Sequence, residues 1–269
     1  MRNQQVKALS KKRRHPLAAV ALLLFGLLIT GSLYTAAGNI SEAKAAETTT
    51  ASQADVEEGQ KLFVANCATC HGMNAEGSDS GPSLIGVGAA SVDFQVGTGR
   101  MPMQMQGPQA QVKPVQFDDE QISQLAAYVA SLGAGPAIPD EEYLDTTQGD
   151  AAHGGTVFRV NCAMCHNAAA AGGALTRGKF APTLTGVSEK HIYEAMATGP
   201  QNMPVFNDSN ITPEEKRDVI TFLKTIEANG SAGGAALGSL GPVAEGLFTW
   251  TAGLGIIIAF TIWLTSRPS

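Results

Sequence analysis

The pentapeptide CATCH at residues 67–71 recurs as CAMCH at residues 162–166, and these two stretches contain all four cysteines of the 269-residue chain. In each, two residues separate the thiols and a histidine directly follows the second one. Cys-X-X-Cys-His is the attachment sequence of c-type haem, in which the thiols bond the porphyrin and the histidine ligates the iron. The sequence therefore predicts two covalently bound haems. The residues expected to hold them are Cys67, Cys70, Cys162 and Cys165 through thioether bonds, and His71 and His166 as iron ligands.

A Cys-X-X-Cys pair has three other common uses: a thioredoxin-like redox site, half of a zinc site and a disulfide. A thioredoxin-like site needs a βαβ setting, and no β-branched strand pattern flanks either motif. A zinc site uses more widely spaced ligands, whereas these motifs lie 95 residues apart. The histidine after the second cysteine, present in both motifs, favours haem attachment over all three.

The two motifs belong to a longer internal repeat. The pattern G-x-x-x-F-x-x-N-C-A-x-C-H covers residues 59–71 and, without a gap, residues 154–166. Further along, GPSLIGV at residues 81–87 matches APTLTGV at residues 181–187, and a Met-Pro pair follows in both copies. Each copy then ends in an amphipathic helical pattern. Repetition in this fixed order predicts two copies of one domain.

Each copy offers a methionine as the sixth iron ligand. A thioether is the usual second axial ligand in electron-transfer c-type cytochromes, because a neutral soft ligand raises the reduction potential. In the second copy Met203 precedes a proline in the loop before the last helix. In the first copy Met101, Met103 and Met105 alternate along one loop. Met101 aligns with Met203 through the following proline and is the favoured ligand, with Met103 as the alternative.

Two long apolar stretches frame the chain. Residues 17–37 and residues 246–265 contain no charged side chain, and about 20 apolar residues are enough for a helix to span a bilayer. The basic cluster at residues 11–14 predicts a cytoplasmic N-terminus by the positive-inside rule. A cleaved signal peptide is the alternative interpretation of the first stretch. In both cases the middle of the chain is exported, and both termini are cytoplasmic if the first stretch is retained.

The region between the apolar stretches is acidic. The whole chain has a formal net charge of −6, but residues 38–242 contain 11 Lys+Arg and 23 Asp+Glu. Such a region repels nucleic acid and anionic lipid surfaces. We therefore expect no nucleic-acid partner.

Each copy resembles a class I cytochrome c domain, with a first helix that carries the haem motif, a Gly-Pro-x-Leu loop, a Met-Pro loop and a closing helix. In that family a carbonyl near the loop proline accepts a hydrogen bond from the ligating histidine, and the first and last helices cross in the core. The matching positions are Pro82 and Pro182 for the carbonyls, and Phe63/Tyr128 and Phe158/Phe222 for the crossings.

The predicted fold class is all-α, with two tandem cytochrome c domains flanked by an N-terminal and a C-terminal transmembrane helix. The predicted segments are a basic N-terminus and helix or signal anchor (1–37), a linker (38–54), domain 1 (55–134), a second linker (135–148), domain 2 (149–228), a Gly-rich tether (229–242) and the C-terminal helix (243–265).

This whole arrangement resembles the dihaem cytochrome c subunit of the actinobacterial menaquinol:cytochrome c reductase, the cytochrome bcc complex. The resemblance implies that electrons pass from the cytochrome b subunit through the Rieske iron–sulfur subunit to one haem, then to the second haem and to a terminal cytochrome c oxidase. It also implies contact with membrane lipid. Oxidoreductase activity would belong to the assembly, because the isolated chain rearranges no bonds.

Two other functions stay open at this stage. A dihaem peroxidase needs one exchangeable distal ligand and acid–base residues, for which Glu76 and Asp79 are the candidates. A membrane dihaem cytochrome could also serve a different dehydrogenase or reductase. His153 and His191 have no counterpart in the first copy. Bis-histidine ligation is therefore not expected, and both are interpreted as surface residues.

Overall fold

Helices dominate the computed structural model, which describes residues 20–32, 52–105, 107–229 and 242–266. The chain forms two compact units, Met1–Ala51 and Ser52–Ser269. In the first unit, helix α1 covers Val20–Ser32. It is the described part of the predicted N-terminal span. The remainder of that span (17–19 and 33–37) and most of the tether (230–241) lie outside the described residues.

The second unit contains two four-helix groups followed by one long apolar helix. Domain 1 comprises α2 (Gln53–Asn66), α3 (Ala68–His71), α4 (Ala89–Gly97) and α5 (Asp119–Ser131), and domain 2 comprises α6 (Ala151–Asn161), α7 (Ala163–His166), α8 (Glu189–Thr198) and α9 (Pro213–Asn229). Three 3-10 helices cover Glu141–Tyr143, Thr146–Gln148 and Thr176–Gly178, and the last helix, α10, covers Pro242–Thr265.

One short element departs from the all-α prediction. Strands β1 (Gly173–Ala174) and β2 (Phe180–Ala181) pair antiparallel as a two-residue ribbon in domain 2. The ribbon lies between the haem motif and the proline-bearing loop, where domain 1 has a shorter connection. The fold of the described residues is therefore mostly helical rather than strictly all-α.

In each domain the first and last helices cross at a glycine. A Cβ atom added at Gly59 would lie 1.9 Å from the carbonyl oxygen of Gln124, and one added at Gly154 would lie 1.9 Å from that of Asp218. Real side chains cannot approach so closely. The glycine that opens both copies of the repeat is thus required by the close approach of two backbones.

We predict that Gly59→Ala destabilises domain 1. Alanine in place of an exposed helical glycine normally stabilises by about 0.5–1 kcal/mol, but here the methyl group would push α5 away from α2 at a cost of about 3 kcal/mol or more. Thermal unfolding of the haem-loaded protein measures the change. Gln60→Ala, at the next and exposed position of the same helix, should shift stability by no more than about 0.5 kcal/mol. Equal midpoints for the two variants would contradict the crossing argument.

Aromatic pairs pack beside these crossings, as the resemblance implied. The ring centroids of Phe63 and Tyr128 lie 5.2 Å apart, and those of Phe158 and Phe222 lie 5.5 Å apart. Phe63 and Phe158 are essentially inaccessible to solvent and sit in the two hydrophobic cores. Both predicted pairs are confirmed. The two domains therefore share one core design.

The segment between the domains is structured. It contains the 3-10 helices Glu141–Tyr143 and Thr146–Gln148, and both Tyr143 and Leu144 pack against the core of domain 2. The rings of Tyr143 and Tyr193 lie 6.2 Å apart. This segment thus extends the core of domain 2 in addition to joining the domains.

The two domains also contact each other directly. The Gln109 side chain donates to the Phe180 carbonyl and accepts from the Phe180 N–H, both at 2.9 Å. The His191 ring meets the Phe94 ring edge-on at 6.0 Å. The prediction that His191 is a surface residue is therefore wrong, because its side chain is only 19% exposed and belongs to this contact. His153 is about half exposed, as predicted.

Helix α10 is the described element that is long and apolar enough to cross a membrane. Its stretch Ala244–Thr265 has 22 residues and a mean hydropathy of 1.9. Trp250 and Trp263 lie on it and are exposed, and indole rings favour the membrane interface. Helix α1 has an apolar composition but is shorter, so by length only α10 qualifies within the described ranges.

Candidate haem sites

The two haem motifs adopt the same local conformation. Cys67 ends α2 by donating its N–H to the Phe63 carbonyl at 2.7 Å, and the N–H of His71 returns to the Cys67 carbonyl at 3.0 Å. In domain 2 the equivalent bonds from Cys162 and His166 measure 2.8 and 2.9 Å. A single helical turn thus carries both thiols and the histidine in each domain.

Both histidines are buried and held through Nδ1. That atom lies 2.7 Å from the Pro82 carbonyl oxygen in His71 and 3.0 Å from the Pro182 carbonyl oxygen in His166. A carbonyl only accepts, so Nδ1 carries the proton and Nε2 keeps its lone pair for a metal. Burial lowers the pKa of His166, and the hydrogen bond to the Pro182 carbonyl raises it by a smaller amount. The net lowering keeps the ring neutral. The predicted carbonyl contacts are confirmed, and both histidines fit a haem iron.

The loop after each motif is fixed by a second backbone bond that the sequence reasoning missed. The Gly77 N–H donates to the His71 carbonyl at 2.7 Å, and the Gly172 N–H donates to the His166 carbonyl at 2.9 Å. Both glycines have positive φ, 91° and 80°, which a side chain would strain. Their signal was present in the sequence, because they are related by the same 95-residue offset as the haem motifs.

The first cysteine of each motif is at least partly enclosed by the protein: Cys162 is buried and Cys67 is half-buried. Burial, assisted by the neighbouring second cysteine, raises the pKa of both Cys67 and Cys162 to about 11. Redox-active cysteines, including those of thioredoxin-like sites, have lowered pKa values. No disulfide joins any two of these four cysteines, all of which lie in the described part of the chain. This environment disfavours the thioredoxin-like interpretation and suits cysteines that are consumed by thioether formation.

The two favoured methionines occupy equivalent packing positions. Met101 is half-buried against the core of domain 1, and Met203 is half-buried against the core of domain 2. Met103 is half-buried outside those core contacts, and Met105 is 79% exposed. The equivalence supports Met101 over Met103 as the partner of Met203. Met196 lies within helix α8.

These features define a protein with two cytochrome c domains. The family description "Cytochrome c" matches residues 56–133, and "Cytochrome C oxidase, cbb3-type, subunit III" matches residues 149–223. Cytochrome c domains imply covalently bound haem c, which agrees with the donor set described above. The chain is accordingly an electron-transfer protein.

Full-length relatives narrow the class to one family. The chain is 44% identical to the cytochrome bc1 complex cytochrome c subunit of Corynebacterium efficiens, over 98% of this chain and 93% of that protein. It is 40% identical to the subunit of the same name from Corynebacterium diphtheriae, over 98% of both. The subunit of Mycobacterium tuberculosis is 41% identical over 96% of this chain and 93% of that protein. The chain belongs to the family of cytochrome c subunits of the cytochrome bc1 complex.

Proposed function

We propose that each of the two domains holds one c-type haem and that the pair carries electrons from a Rieske iron–sulfur subunit to a terminal cytochrome c oxidase. The observation that carries this proposal is the duplicated histidine site, in which each ring has its Nδ1 bound and its Nε2 available. The relatives' printed name adds that they are cytochrome c subunits of a bc1 complex, and we infer that this chain works in such a complex beside a cytochrome b subunit.

In this proposal three types of residue hold each haem, and each type has a different role. Cys67, Cys70, Cys162 and Cys165 would bind the porphyrins, and His71 and His166 would ligate the irons. Met101 and Met203 would supply the remaining protein ligands, and a thioether ligand would raise the reduction potentials. When bound, haem c supplies a one-electron iron couple.

Capping by methionine also argues against a peroxidase, which needs a distal side that peroxide can reach. The candidate acid Glu76 is engaged in its own loop, where its carboxylate accepts the Asn74 N–H at 2.7 Å. It therefore has a structural role after the haem motif.

Membrane attachment completes the proposal. Helix α10 would anchor the C-terminus, and residues 17–37 would form a second span with the haem domains on the extracytoplasmic side and both termini in the cytoplasm. A chain fixed to the membrane and to its partners gains little from long-range charge steering, which suits its acidic exported region. Both spans would contact lipid.

The proposal is tested first by counting haems and probing their sixth ligands. The alkaline pyridine spectrum of the purified chain should give two haems per chain. Carbon monoxide added to the dithionite-reduced protein should leave the low-spin α bands unchanged, because both irons are capped. One haem per chain, or a Soret shift in about half the haem, would contradict the double His/Met assignment.

The partners are tested by affinity purification of the tagged chain from its native membrane in mild detergent. Cytochrome b, the Rieske subunit and the oxidase should co-purify, and menaquinol should reduce both haems. Recovery with an unrelated dehydrogenase and without cytochrome b would favour the alternative electron source instead.

A further inference from the structure

A buried carboxylate lies at the contact between the two domains. Glu194 on α8 has no exposed surface, and among the described residues no N–H or hydroxyl group donates to either of its carboxylate oxygens. Its neighbour is the carboxylate of Asp93, with which it can form a hydrogen bond only by sharing a proton. Burying an ionised carboxylate is strongly unfavourable unless a proton or a positive charge compensates it. The side chain therefore requires a partner of one of these two kinds.

Two further metal-ligating side chains converge on this carboxylate. Ligand atoms of Asp93, His191 and Glu194 all lie within 4.8 Å of one another. His191 Nε2 lies 3.8 Å from Asp93 Oδ2. His191 and Glu194 are three positions apart on α8 and so share a face of that helix, whereas Asp93 comes from α4 in domain 1. The cluster thus joins the two domains.

Lys190 supplies a positive charge that favours the ionised form of Glu194, but it is already paired with Asp93. Lys190 Nζ lies 2.8 Å from Asp93 Oδ2. Burial lowers the pKa of His191, Asp93 opposes that shift, and the positive charges of Lys190 and Arg100 add to it. Burial first and the Asp93 charge second raise the pKa of Glu194 to about 9. The Lys190 side chain is 41% exposed, so it can turn to water when a cation takes its place at Asp93.

We propose that Asp93, His191 and Glu194 bind one Zn²⁺ ion across the domain contact. One imidazole nitrogen and two carboxylates form a donor set that Zn²⁺ accepts, with water as a fourth ligand. The two carboxylates match the charge of the ion. Zinc–ligand bonds of about 2.0–2.2 Å require the three side chains to close in by about 1 Å, which rotamer adjustment can supply.

The repeat predicts one such ion per chain. At the 100-residue offset that aligns residues 81–87 with 181–187, Glu194 falls opposite Phe94 and Asp93 falls opposite Tyr193. The cluster is therefore not duplicated. Since its ligands come from both domains, the ion would fix their relative orientation. A fixed domain orientation matters because it sets the path for electrons between two haems, and this part of the argument rests on the proposed function. Zinc binding itself does not rest on it.

The test is the zinc content and affinity of the haem-loaded full-length chain in detergent. After equilibration with micromolar Zn²⁺ and removal of the excess, elemental analysis should give one zinc per chain, with the chain counted by amino-acid analysis. Competition with a chromophoric chelator gives the affinity. Glu194→Gln and His191→Ala should each weaken binding by about tenfold or more. Glu189→Gln on the same helix and His153→Ala, both at exposed positions, should keep it unchanged.

A wild-type chain that holds no more zinc than Glu194→Gln overturns the proposal, and Glu194 is then a buried neutral acid. If zinc instead binds scattered surface carboxylates, the wild type and all variants will contain equal amounts of zinc. That result also contradicts the proposal. The α band and circular dichroism report whether each variant is folded, and if Glu194→Gln misfolds, His191→Ala decides. A haem count below two would contradict the proposed function without altering the zinc result, so the two failures are distinguishable.

Discussion

The double substitution Cys162→Ala/Cys165→Ala should halve the covalent haem and stop electron flow from menaquinol to oxygen. If the two haems act in series, each is indispensable, because electrons cannot bypass a missing haem. The haem that remains in domain 1 should still be reduced by menaquinol if that domain faces the Rieske subunit. Haem content is measured by the pyridine spectrum, and electron flow by oxygen consumption of the purified assembly.

The mirror variant and a matched control make this result decisive. Cys67→Ala/Cys70→Ala should also stop oxygen consumption, and comparison of the two variants shows which haem accepts from the quinol side. Met164→Ala changes a residue between the two thiols of the second motif, but that side chain is 93% exposed and should alter neither quantity. Retained oxygen consumption in either double variant would contradict a series path.

The haem sites could be predicted from the sequence because the residues that attach and ligate a haem lie close together in the sequence at a characteristic spacing. Two thiols and a histidine within five residues define the attachment site, and the 95-residue repeat extends the assignment to a second domain. The proline carbonyl contacts followed from the resemblance. The sequence showed that a glycine is repeated at positions 59 and 154. The structure adds the reason, which is that a side chain at either position would collide with the backbone of the crossing helix.

The domain contact could not be predicted in the same way, because it joins residues that lie about 100 positions apart. None of these residues has a residue of the same type at the equivalent position of the other copy. His191 was interpreted as a surface residue because it has no counterpart in the first copy of the repeat. Its environment comes from Phe94 and Asp93, which reach it from the other domain. The available signal was a break in the repeat, where Glu194 stands in place of an aromatic residue on an otherwise equivalent helix.

Met101→His should lower the midpoint potential of one haem while leaving it low-spin. Histidine is a stronger donor to Fe(III) than a thioether, and axial ligands move haem potentials over a range of roughly 0.8 V, so a fall on the order of 0.1 V or more is expected. The weak oxidised band of the thioether–iron bond should lose half its intensity. Redox titration followed in the α band measures the first effect, and the near-infrared spectrum the second.

Met103→His is the matched control, because it places the same side chain two residues away in the same loop. Met101 packs against the domain core as Met203 does, whereas Met103 is half-buried outside those contacts and should leave the potential and the thioether band unchanged. If Met103→His lowers the potential and Met101→His does not, the ligand is Met103. The Met-Pro correspondence between the domains would then be a similarity of packing alone. If neither variant changes the band, neither Met101 nor Met103 ligates the first haem, and the argument against a peroxidase no longer applies to domain 1 through these two residues.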